Sequence, residues 1–317
     1  MAVLEVDNIT KTYKAKGRTI TAVRDVSFSV DAGEIVGFIG RNGAGKSTTL
    51  KIATGLAEPT NGTVRVNGFD IRSNREKALE KVGCIIETPD LYGDWSAMKN
   101  LEYFASLNEK NVPGNGSPKE RIRARAEELL KMVGIYDRRN DQVRRYSLGM
   151  KQRAGIAQAL VCEPNLLILD EPTNGLDPNG IVEVRDVLKK LSHKYGMAIV
   201  VSSHQLAEVQ LMCDRYVIID KGTIVGTFTQ ADLENTQGSE IVLSTDDVVK
   251  AKDKVKELFG ADATFADEGK IAFSSEIPVS EIAKELVLND VNVLGIRKKE
   301  TSLEDLFLLV TNKEGKE

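Results

Sequence analysis

Short apolar runs alternate with helix-like patterns through the first two-thirds of the chain. The runs EIVGFIG, VGCIIE, NLLILDEP and MAIVVSSH have the length and composition of buried strands, and segments between them, such as GIVEVRDVLKKLSHKY, repeat apolar residues at helical spacing. This alternation predicts a mostly parallel sheet flanked by helices, which is an α/β fold. The opening differs, because LEVDNI and SFSV, followed by the turn Asp31-Ala32-Gly33, predict a smaller antiparallel sheet beside it.

A second pattern begins near Ser239 and predicts a separate small unit. Its segments run strand (EIVLS), helix (VVKAKDKVKELFG), strand (ATFAD), strand (KIAFSS), helix (VSEIAKELVLND), strand (VNVLGIRK) and helix. This order is the split βαβ plan of ferredoxin-like α+β domains. The predicted divisions are a large unit at 1–230 with a helical subdomain at about 88–160, a linker at 231–238, and the C-terminal accessory unit at 239–317.

Composition narrows the classes of partner and compartment. The 317 residues include 43 Lys and Arg against 47 Asp and Glu, a net charge of −4, so the chain has no bulk basic excess to hold a nucleic acid backbone. We therefore expect no nucleic acid partner. The cysteines Cys84, Cys162 and Cys213 form no CxxC pair, and each is predicted to be a small buried side chain in a reducing compartment.

The sequence contains neither a signal-peptide pattern nor a membrane-spanning run. Glu5 and Asp7 stand where a signal peptide needs a basic start and an apolar stretch, so we expect no signal peptide. No run in the sequence approaches the roughly 18 to 20 apolar residues that span a bilayer as a helix. If the protein serves a membrane, another chain must supply the span.

A glycine-rich segment follows the first buried run and precedes a helix, which is the context that the phosphate-loop pattern GxxxxGK[ST] requires. Backbone N–H groups of such a loop surround phosphate oxygens, while Lys46 is placed for the β- and γ-phosphates and the Ser47 hydroxyl for Mg²⁺. The alternative, a merely structural turn, is disfavoured because every fixed position matches. Alone, the pattern indicates only a nucleotide, since kinases and GTPases share it. The predicted nucleotide-binding residues are Gly40, Arg41, Asn42, Gly43, Ala44, Gly45, Lys46, Ser47 and Thr48.

Two carboxylates, Asp170 and Glu171, follow the buried run LLIL. Carboxyl ends of strands are where α/β proteins bind ligands. Asp170 is predicted to hold Mg²⁺ and Glu171 to polarise the water that attacks the γ-phosphate. A solvated strand end is the alternative, which the phosphate loop in the same chain disfavours because that loop needs a Mg²⁺ partner from elsewhere.

The segment YSLGMKQR, residues 146–153, stands shortly before the acidic strand. By itself it indicates a capped helix start. With the motifs around it, it resembles the signature of the ATP-binding cassette (ABC) ATPases, usually written LSGGQ, and the resemblance covers about residues 1–230. It implies a P-loop NTPase cassette with a mixed sheet core, an antiparallel β subdomain and a helical subdomain, an ATPase that uses ATP and Mg²⁺. It also implies that Ser147 and Gly149 face the γ-phosphate of a partner subunit in a head-to-tail homodimer.

Three more positions match this family. Asp177, in NGLD, resembles the aspartate loop at the dimer interface, and His204, after AIVVSS, resembles the histidine that contacts the γ-phosphate. Tyr13, which we place in the loop NITKTYKAKG, resembles the aromatic residue that stacks on adenine, a contact that tolerates any base. An ordinary loop tyrosine is the alternative for Tyr13. His193 is interpreted as an ordinary surface or core histidine.

Glu87 departs from the family pattern, because most ABC ATPases have a glutamine here that touches Mg²⁺ and the attacking water. A carboxylate can still coordinate Mg²⁺, but when ionised it cannot donate a hydrogen bond. Glu87 is therefore a candidate metal and catalytic residue. The segments IIETP and SLGMKQR resemble the bacitracin and lantibiotic self-protection exporters. This narrower resemblance implies a drug, antimicrobial peptide or lipid-like cargo.

The functional prediction is an ATPase subunit that powers a separate transmembrane permease. Such a subunit is cytoplasmic and lies on the inner face of the cell membrane through its permease. One alternative is an import ATPase whose ferredoxin-like tail binds a regulatory ligand. Another is a non-transport ABC ATPase, which is disfavoured because no long coiled coil separates Lys46 from Ser147 and the chain has a single cassette. The sequence does not identify the cargo, the permease or the role of the tail.

Overall fold

The computed structural model describes residues 2–15, 18–235, 240–298 and 302–313. The chain divides into two compact units, one comprising the chain up to Phe228 with the segment from Val310 onward, the other comprising Thr229–Leu309. The predicted linker at 231–238 is partly helical, while residues 236–238 and the predicted start of the tail at Ser239 lie outside the described residues.

The strands are β1 Ala2–Ala15, β2 Arg18–Asp31, β3 Ile35–Ile39, β4 Asn61–Val66, β5 Phe69–Asp70, β6 Val82–Ile85, β7 Leu166–Asp170, β8 Ala198–Ser203, β9 Arg215–Asp220, β10 Thr223–Thr229, β11 Glu240–Thr245, β12 Thr264–Asp267, β13 Lys270–Ser274 and β14 Val293–Lys298. The α-helices are α1 Lys46–Ala53, α2 Arg75–Leu79, α3 Ala97–Leu107, α4 Pro118–Met132, α5 Leu148–Ala159, α6 Pro178–Lys189, α7 Leu206–Met212, α8 Gln230–Asn235, α9 Val248–Phe259, α10 Val279–Leu288 and α11 Leu303–Lys313. Short 3₁₀ segments span Glu109–Asn111, Tyr136–Arg138 and Val143–Arg145, and a π-helical turn spans Lys190–Lys194.

The central sheet of the large unit has the order β10-β9-β3-β8-β7-β6. Its strands β9, β3, β8, β7 and β6 pair in parallel, and β3, β7 and β8 are buried along their whole length. Continuous apolar strands of this kind are stable only when both faces of the sheet are covered. Because the strands are parallel, the segments that follow β3, β7 and β8 meet at one edge of the sheet.

An antiparallel sheet with the order β2-β1-β4-β5 accompanies the central sheet, as the opening pattern predicted. The placement of Tyr13 in a loop is wrong, because Tyr13 lies within β1 and pairs with Ile20 of β2. The β-branched residues Thr12 and Thr21 form the neighbouring pair, and side chains of this shape favour an extended backbone. The hairpin therefore continues where the sequence suggested a loop.

A helical layer is formed by α3, α4 and α5. A capping box begins α4: the Ser117 side chain accepts a hydrogen bond from the Glu120 backbone, and the Glu120 carboxylate accepts one from the Ser117 backbone at 2.9 Å. The buried guanidinium of Arg125 in α4 donates to the carbonyl oxygens of Leu160 at 2.7 Å and Val161 at 3.3 Å. These bonds satisfy carbonyls at the end of α5 and fix α5 against α4.

The small unit contains a four-stranded sheet with the order β12-β13-β11-β14, and the pairs β12–β13, β13–β11 and β11–β14 are antiparallel. Helices α9 and α10 connect the strands, which is the split βαβ plan that the sequence predicted. The unit has its own core, which includes Leu243, Val255, Ile271, Phe273 and Leu286.

The cysteines and helices bear on two sequence predictions. Cys213 is buried as predicted, Cys162 is half-buried, and Cys84 is exposed, so the prediction of a buried side chain is wrong for Cys84. Cys84 lies on the edge strand β6, where Gly83 and Ile85 take the buried positions and the residue between them points outward. Within the described ranges, no helix is both long enough and apolar enough to cross a membrane.

Candidate functional site

The phosphate loop connects β3 to α1 and requires glycine at specific positions. Gly45 has φ +107° at the start of α1, and a Cβ added to Gly40 would lie 2.4 Å from the Ile219 carbonyl oxygen. A side chain at either position would strain or displace the backbone. Arg41, Asn42 and Gly43 are exposed, so the loop is open to solvent while its base is fixed against the sheet.

Lys46, the first residue of α1, is almost fully buried, with 6% of its surface exposed. Its Nζ donates a hydrogen bond to the Gly40 carbonyl oxygen at 2.7 Å and lies 3.4 Å from Oε1 of Glu171. A buried ammonium group needs such oxygen partners to offset the loss of water. The loop therefore bends over its own lysine and directs this cation toward the carboxylate at the end of β7.

The acidic pair is held by Ser202 of the neighbouring strand. Asp170 is buried and pairs with Ser202 in the parallel ladder, and the Ser202 hydroxyl donates a short hydrogen bond to Oδ1 of Asp170. The same hydroxyl accepts a hydrogen bond from the Glu171 N–H at 3.0 Å. Glu171 has φ +50°, a left-handed conformation that is unusual for a residue with a side chain. Because of this backbone conformation, the carboxylates of Asp170 and Glu171 point in different directions.

His204 follows β8 and completes the group. Its Nδ1 lies 2.8 Å from Oε2 of Glu171, whose other oxygen faces Lys46. The Glu171 carboxylate thus lies between a lysine at the start of α1 and a histidine after β8, at the same sheet edge. The structure brings together Lys46, Asp170, Glu171 and His204, four residues for which the sequence predicts roles at a phosphate site.

Glu87 lies just after β6, with φ +74° and a largely exposed side chain. Its carboxylate accepts a hydrogen bond from Lys51 Nζ at 2.9 Å. This hydrogen bond lowers the pKa of Glu87 and raises the pKa of Lys51 above its ordinary value. Glu87 is therefore an ionised carboxylate. It contacts α1, the helix that follows the phosphate loop.

Ser147 and Asp177 form a second group at two adjacent helix starts. The Ser147 side chain caps α5 by accepting from the Met150 N–H at 3.2 Å, and the Asp177 side chain caps α6 by accepting from the Gly180 N–H at 3.2 Å. A Cβ added to Gly149 would lie 3.6 Å from Gly180, so the two helix starts pack closely. Their N-terminal N–H groups and dipoles favour an anion.

The two groups are separate within this chain. In the ranges that the structure describes, no side-chain hydrogen bond or ion pair links Ser147 or Asp177 to Lys46, Asp170 or Glu171. Tyr13 is 42% exposed, and its ring lies 5.1 Å from Nζ of Lys11. A ring exposed to this extent is accessible for stacking.

The donor set at the sheet edge fits Mg²⁺. Asp170 offers a carboxylate and Ser47, in the first turn of α1, offers a hydroxyl; both are the hard oxygen donors that Mg²⁺ prefers. The described residues contain no cluster of three or more His, Cys, Asp or Glu able to hold a metal ion by themselves. Mg²⁺ is commonly held by one or two protein oxygens with phosphate oxygens and water, so a sparse set of this kind suits a nucleotide-bound ion.

An open groove of about 1250 Å³ lies beside Glu87. Its walls come from the turn after α1, from α2, β6 and the loop after β6, and from the ends of α3 and α5. They include Leu56, Cys84, Pro89, Phe104, Leu107 and Gln158. Pro89 packs so tightly on α5 that a Cβ added to Gly155 would lie 2.5 Å from the Pro89 Cβ. The groove wall is therefore continuous with α5, the helix that Ser147 caps.

Two residues of the site were missed from the sequence. Ser202 looks like an ordinary buried strand residue, and only the strand order, which places β8 beside β7, identifies it as the partner of Asp170. Lys51 resembles a solvated helix lysine. Its signal was available, because an extra carboxylate at Glu87 near two others calls for a nearby cation.

Comparison with known proteins agrees with this geometry. The family model described as ABC transporter matches residues 23–174. An ABC transporter ATP-binding protein of Bacillus subtilis, YhcH, is 39% identical and covers 99% of this chain and 98% of its own length. The bacitracin transport ATP-binding protein BcrA of Enterococcus faecalis is 38% identical over 96% of this chain and 95% of its own length.

Among solved structures, a dimeric ATP-binding cassette in a post-hydrolysis state with ADP and Pi aligns with a TM-score of 0.64 and 29% identity. The alignment covers 72% of this chain and 98% of the cassette. The fold, the motifs and the near full-length relatives agree. This chain belongs to the ATP-binding subunits of ABC transporters and is an ATPase of that family.

Proposed function

We propose that this chain hydrolyses ATP as a head-to-tail homodimer and thereby powers a separate transmembrane permease that exports an antibiotic, antimicrobial peptide or lipid-like compound. The observation that carries the proposal is the position of the Glu171 carboxylate between Lys46 at 3.4 Å and His204 at 2.8 Å. A carboxylate at the rim of a phosphate loop, with one cation beside it, suits hydrolysis of a phosphoanhydride.

The roles of the residues follow from their chemistry. Lys46 and the N–H groups of the loop Gly40–Thr48 bind the phosphates, and Ser47 with Asp170 holds Mg²⁺, which neutralises phosphate charge when it is bound. Glu171 orients and polarises the attacking water, and His204 fixes the direction of the Glu171 carboxylate. In addition, Tyr13 stacks on adenine, and Glu87 adds a carboxylate beside the metal site.

The second group of residues supports a dimer. Ser147, Gly149 and Asp177 lie at helix starts suited to an anion, yet none of their described side-chain contacts reaches this chain's own Lys46 or Glu171. A second copy in head-to-tail orientation would present Ser147 and Gly149 to a nucleotide held by the first. Each site is then completed only by closure, which couples hydrolysis to motion.

The groove beside Glu87 is the proposed contact surface for the permease. Its lining combines apolar side chains such as Leu56, Phe104 and Leu107 with polar ones such as Gln158. A groove lined by both apolar and polar side chains suits a short helix from another protein. Binding there would hold the chain on the inner face of the cell membrane.

The proposed cargo rests on the near full-length similarity to the bacitracin transport protein and on the sequence segments IIETP and SLGMKQR. The similarity extends through the second unit, which is part of the chain beyond the cassette. This extent favours export over an import system in which the tail alone is a regulatory ligand-binding domain.

Two experiments test the proposal. The purified chain should hydrolyse Mg-ATP, and the E171Q variant should form an ATP-dependent dimer by light scattering; a wild-type chain without ATPase activity would refute the enzymatic role. For the cargo, the chain expressed together with its permease should raise the bacitracin concentration that a susceptible bacterium tolerates, and the same permease with the E171Q chain should not. Equal susceptibility of the two strains, with the ATPase active, would overturn the cargo alone.

A further inference from the structure

Lys51 and Glu87 form an ion pair that joins two segments of different roles. Lys51 lies in the last turn of α1, the helix that begins with the phosphate loop, and Glu87 lies in the loop after β6. The distance from Lys51 Nζ to Glu87 Oε1 is 2.9 Å. About 37% of the Lys51 side chain and 69% of the Glu87 side chain are exposed. The pair therefore lies at the surface, where water competes with each ion for its partner.

The backbone limits where the Glu87 carboxylate can go. Its φ of +74° is a left-handed conformation, and its neighbours Ile86 and Thr88 both line the groove while Glu87 itself turns to α1. Lys51 lies five positions after Lys46, which is about 7.5 Å along a helix. The lysine therefore holds Glu87 on the same rigid element that carries the phosphate loop.

The charged groups around the Lys51–Glu87 ion pair indicate what this contact does. Asp170 and Glu171 already place two carboxylates at the sheet edge, and Lys46 is bonded to Gly40 and lies beside Glu171. The hydrogen bond to Glu87 and the charge of Asp170 both raise the pKa of Lys51, so this lysine lies in the field of both carboxylates. Lys51 is the cation whose contact with Glu87 the structure describes.

We propose that Lys51 is a positioning residue that neutralises the Glu87 carboxylate and holds it at the metal side of the phosphate site, so that Lys51 and Glu87 act as a matched pair. This inference rests on the proposed function of Glu87 beside Mg²⁺. It differs from a general stabilising role of Lys51, which would not depend on what stands at position 87.

A double-mutant cycle separates these two roles. In K51M the carboxylate is released, and we expect kcat to fall about threefold, the scale of an exposed ion pair. In the E87Q background the same Lys51→Met change should leave kcat unchanged, because no carboxylate remains to be held. K51R, which keeps the cation, should retain the wild-type kcat. An equal loss from Lys51→Met in both backgrounds would overturn the proposal.

A binding measurement provides a readout that does not depend on turnover. The dissociation constant of the fluorescent nucleotide MANT-ADP is measured with Mg²⁺ and with EDTA, and the ratio reports how much Mg²⁺ tightens binding. We expect K51M to reduce this ratio about threefold. The K51M/E87Q double variant should have the same ratio as E87Q. A ratio unchanged in K51M would also overturn the proposal.

Two controls make the outcomes distinct. Lys256→Met removes a lysine from another exposed ion pair, 2.7 Å from Asp262 in the small unit, and should change neither kcat nor the ratio. Thermal unfolding of K51M and K51R identifies any loss of fold. If the wild-type chain binds MANT-ADP and hydrolyses ATP but the cycle shows no coupling, the pair fails alone; if it binds no nucleotide, the proposed function fails first.

Discussion

Nδ1 of His204 lies 2.8 Å from Oε2 of Glu171, and this contact fixes the direction of a carboxylate whose other oxygen faces Lys46. The two residues follow different strands, β7 and β8, which are neighbours in the sheet. The pairing of these strands, with Asp170 opposite Ser202, sets the relative positions of the two loops. The histidine thus depends on the strand register for its position.

This contact predicts a difference between two variants. E171Q should lower kcat by about 100-fold or more, because in the proposed mechanism Glu171 is the group that polarises water. H204A should lower kcat by less, because Glu171 keeps its charge and loses only one partner. Steady-state hydrolysis of Mg-ATP measures both. The control E257Q alters an exposed carboxylate of the small unit and should match the wild type; an H204A loss as large as that of E171Q would mean that the histidine itself takes part in the chemistry.

The two glutamates should differ in a second comparison. We expect E87Q to keep substantial ATPase activity at saturating Mg-ATP, because an amide oxygen can coordinate Mg²⁺ as a carboxylate can, and the amide can also donate a hydrogen bond. E171Q should lose nearly all activity under the same conditions. An inactive E87Q that remains folded would contradict this expectation and make the carboxylate itself essential.

A glycine comparison separates fold from function at α5. A Cβ at Gly149 would meet Gly180 at 3.6 Å and Leu176 at 3.9 Å, which is ordinary contact, so G149A should fold with little change in melting temperature. If Gly149 faces a partner's phosphate, the added methyl group should still reduce ATPase activity and ATP-dependent dimerisation of the E171Q chain. The contrasting variant G155A places a Cβ 2.5 Å from Pro89 and should lose about 1–3 kcal/mol of unfolding free energy. Wild-type activity in G149A would remove Gly149 from the site.

The reactivity of the Cys84 thiol should show whether the groove is occupied. Cys84 is an exposed residue that lines the groove, and partial burial of its thiol raises the pKa, so the reactive thiolate is scarce at neutral pH. The rate of maleimide labelling should therefore rise about tenfold per pH unit between pH 7 and 9. Mass spectrometry of wild type and C84S identifies the site, while buried Cys213 should react only after unfolding. Labelling that stays equally fast in the complex with the permease would mean that the permease does not occupy the groove.

The sequence and the structure agree where a local pattern determines the outcome. The phosphate loop, the acidic strand and the split βαβ order are local patterns of glycine, charge and apolar spacing, and each is found where it was predicted. Prediction from the sequence failed where pairing between distant segments determines the structure. Tyr13 is in a strand because β2 extends opposite it, and Cys84 is exposed because β6 is the last strand of the sheet. Ser202 and Lys51 gain their roles only from neighbours remote in the chain.

The loop after β6 contacts two helices: α1, which follows the phosphate loop, and α5, which Ser147 caps. Glu87 is bonded to Lys51 of α1, and Pro89 presses on Gly155 of α5. This loop therefore contacts both the helix that follows the phosphate loop and the helix that, in the proposed dimer, would face the neighbour's nucleotide. If the groove binds the permease as proposed, a single contact there would act on both nucleotide sites that this chain touches, so that neither site could run ahead of the transport step.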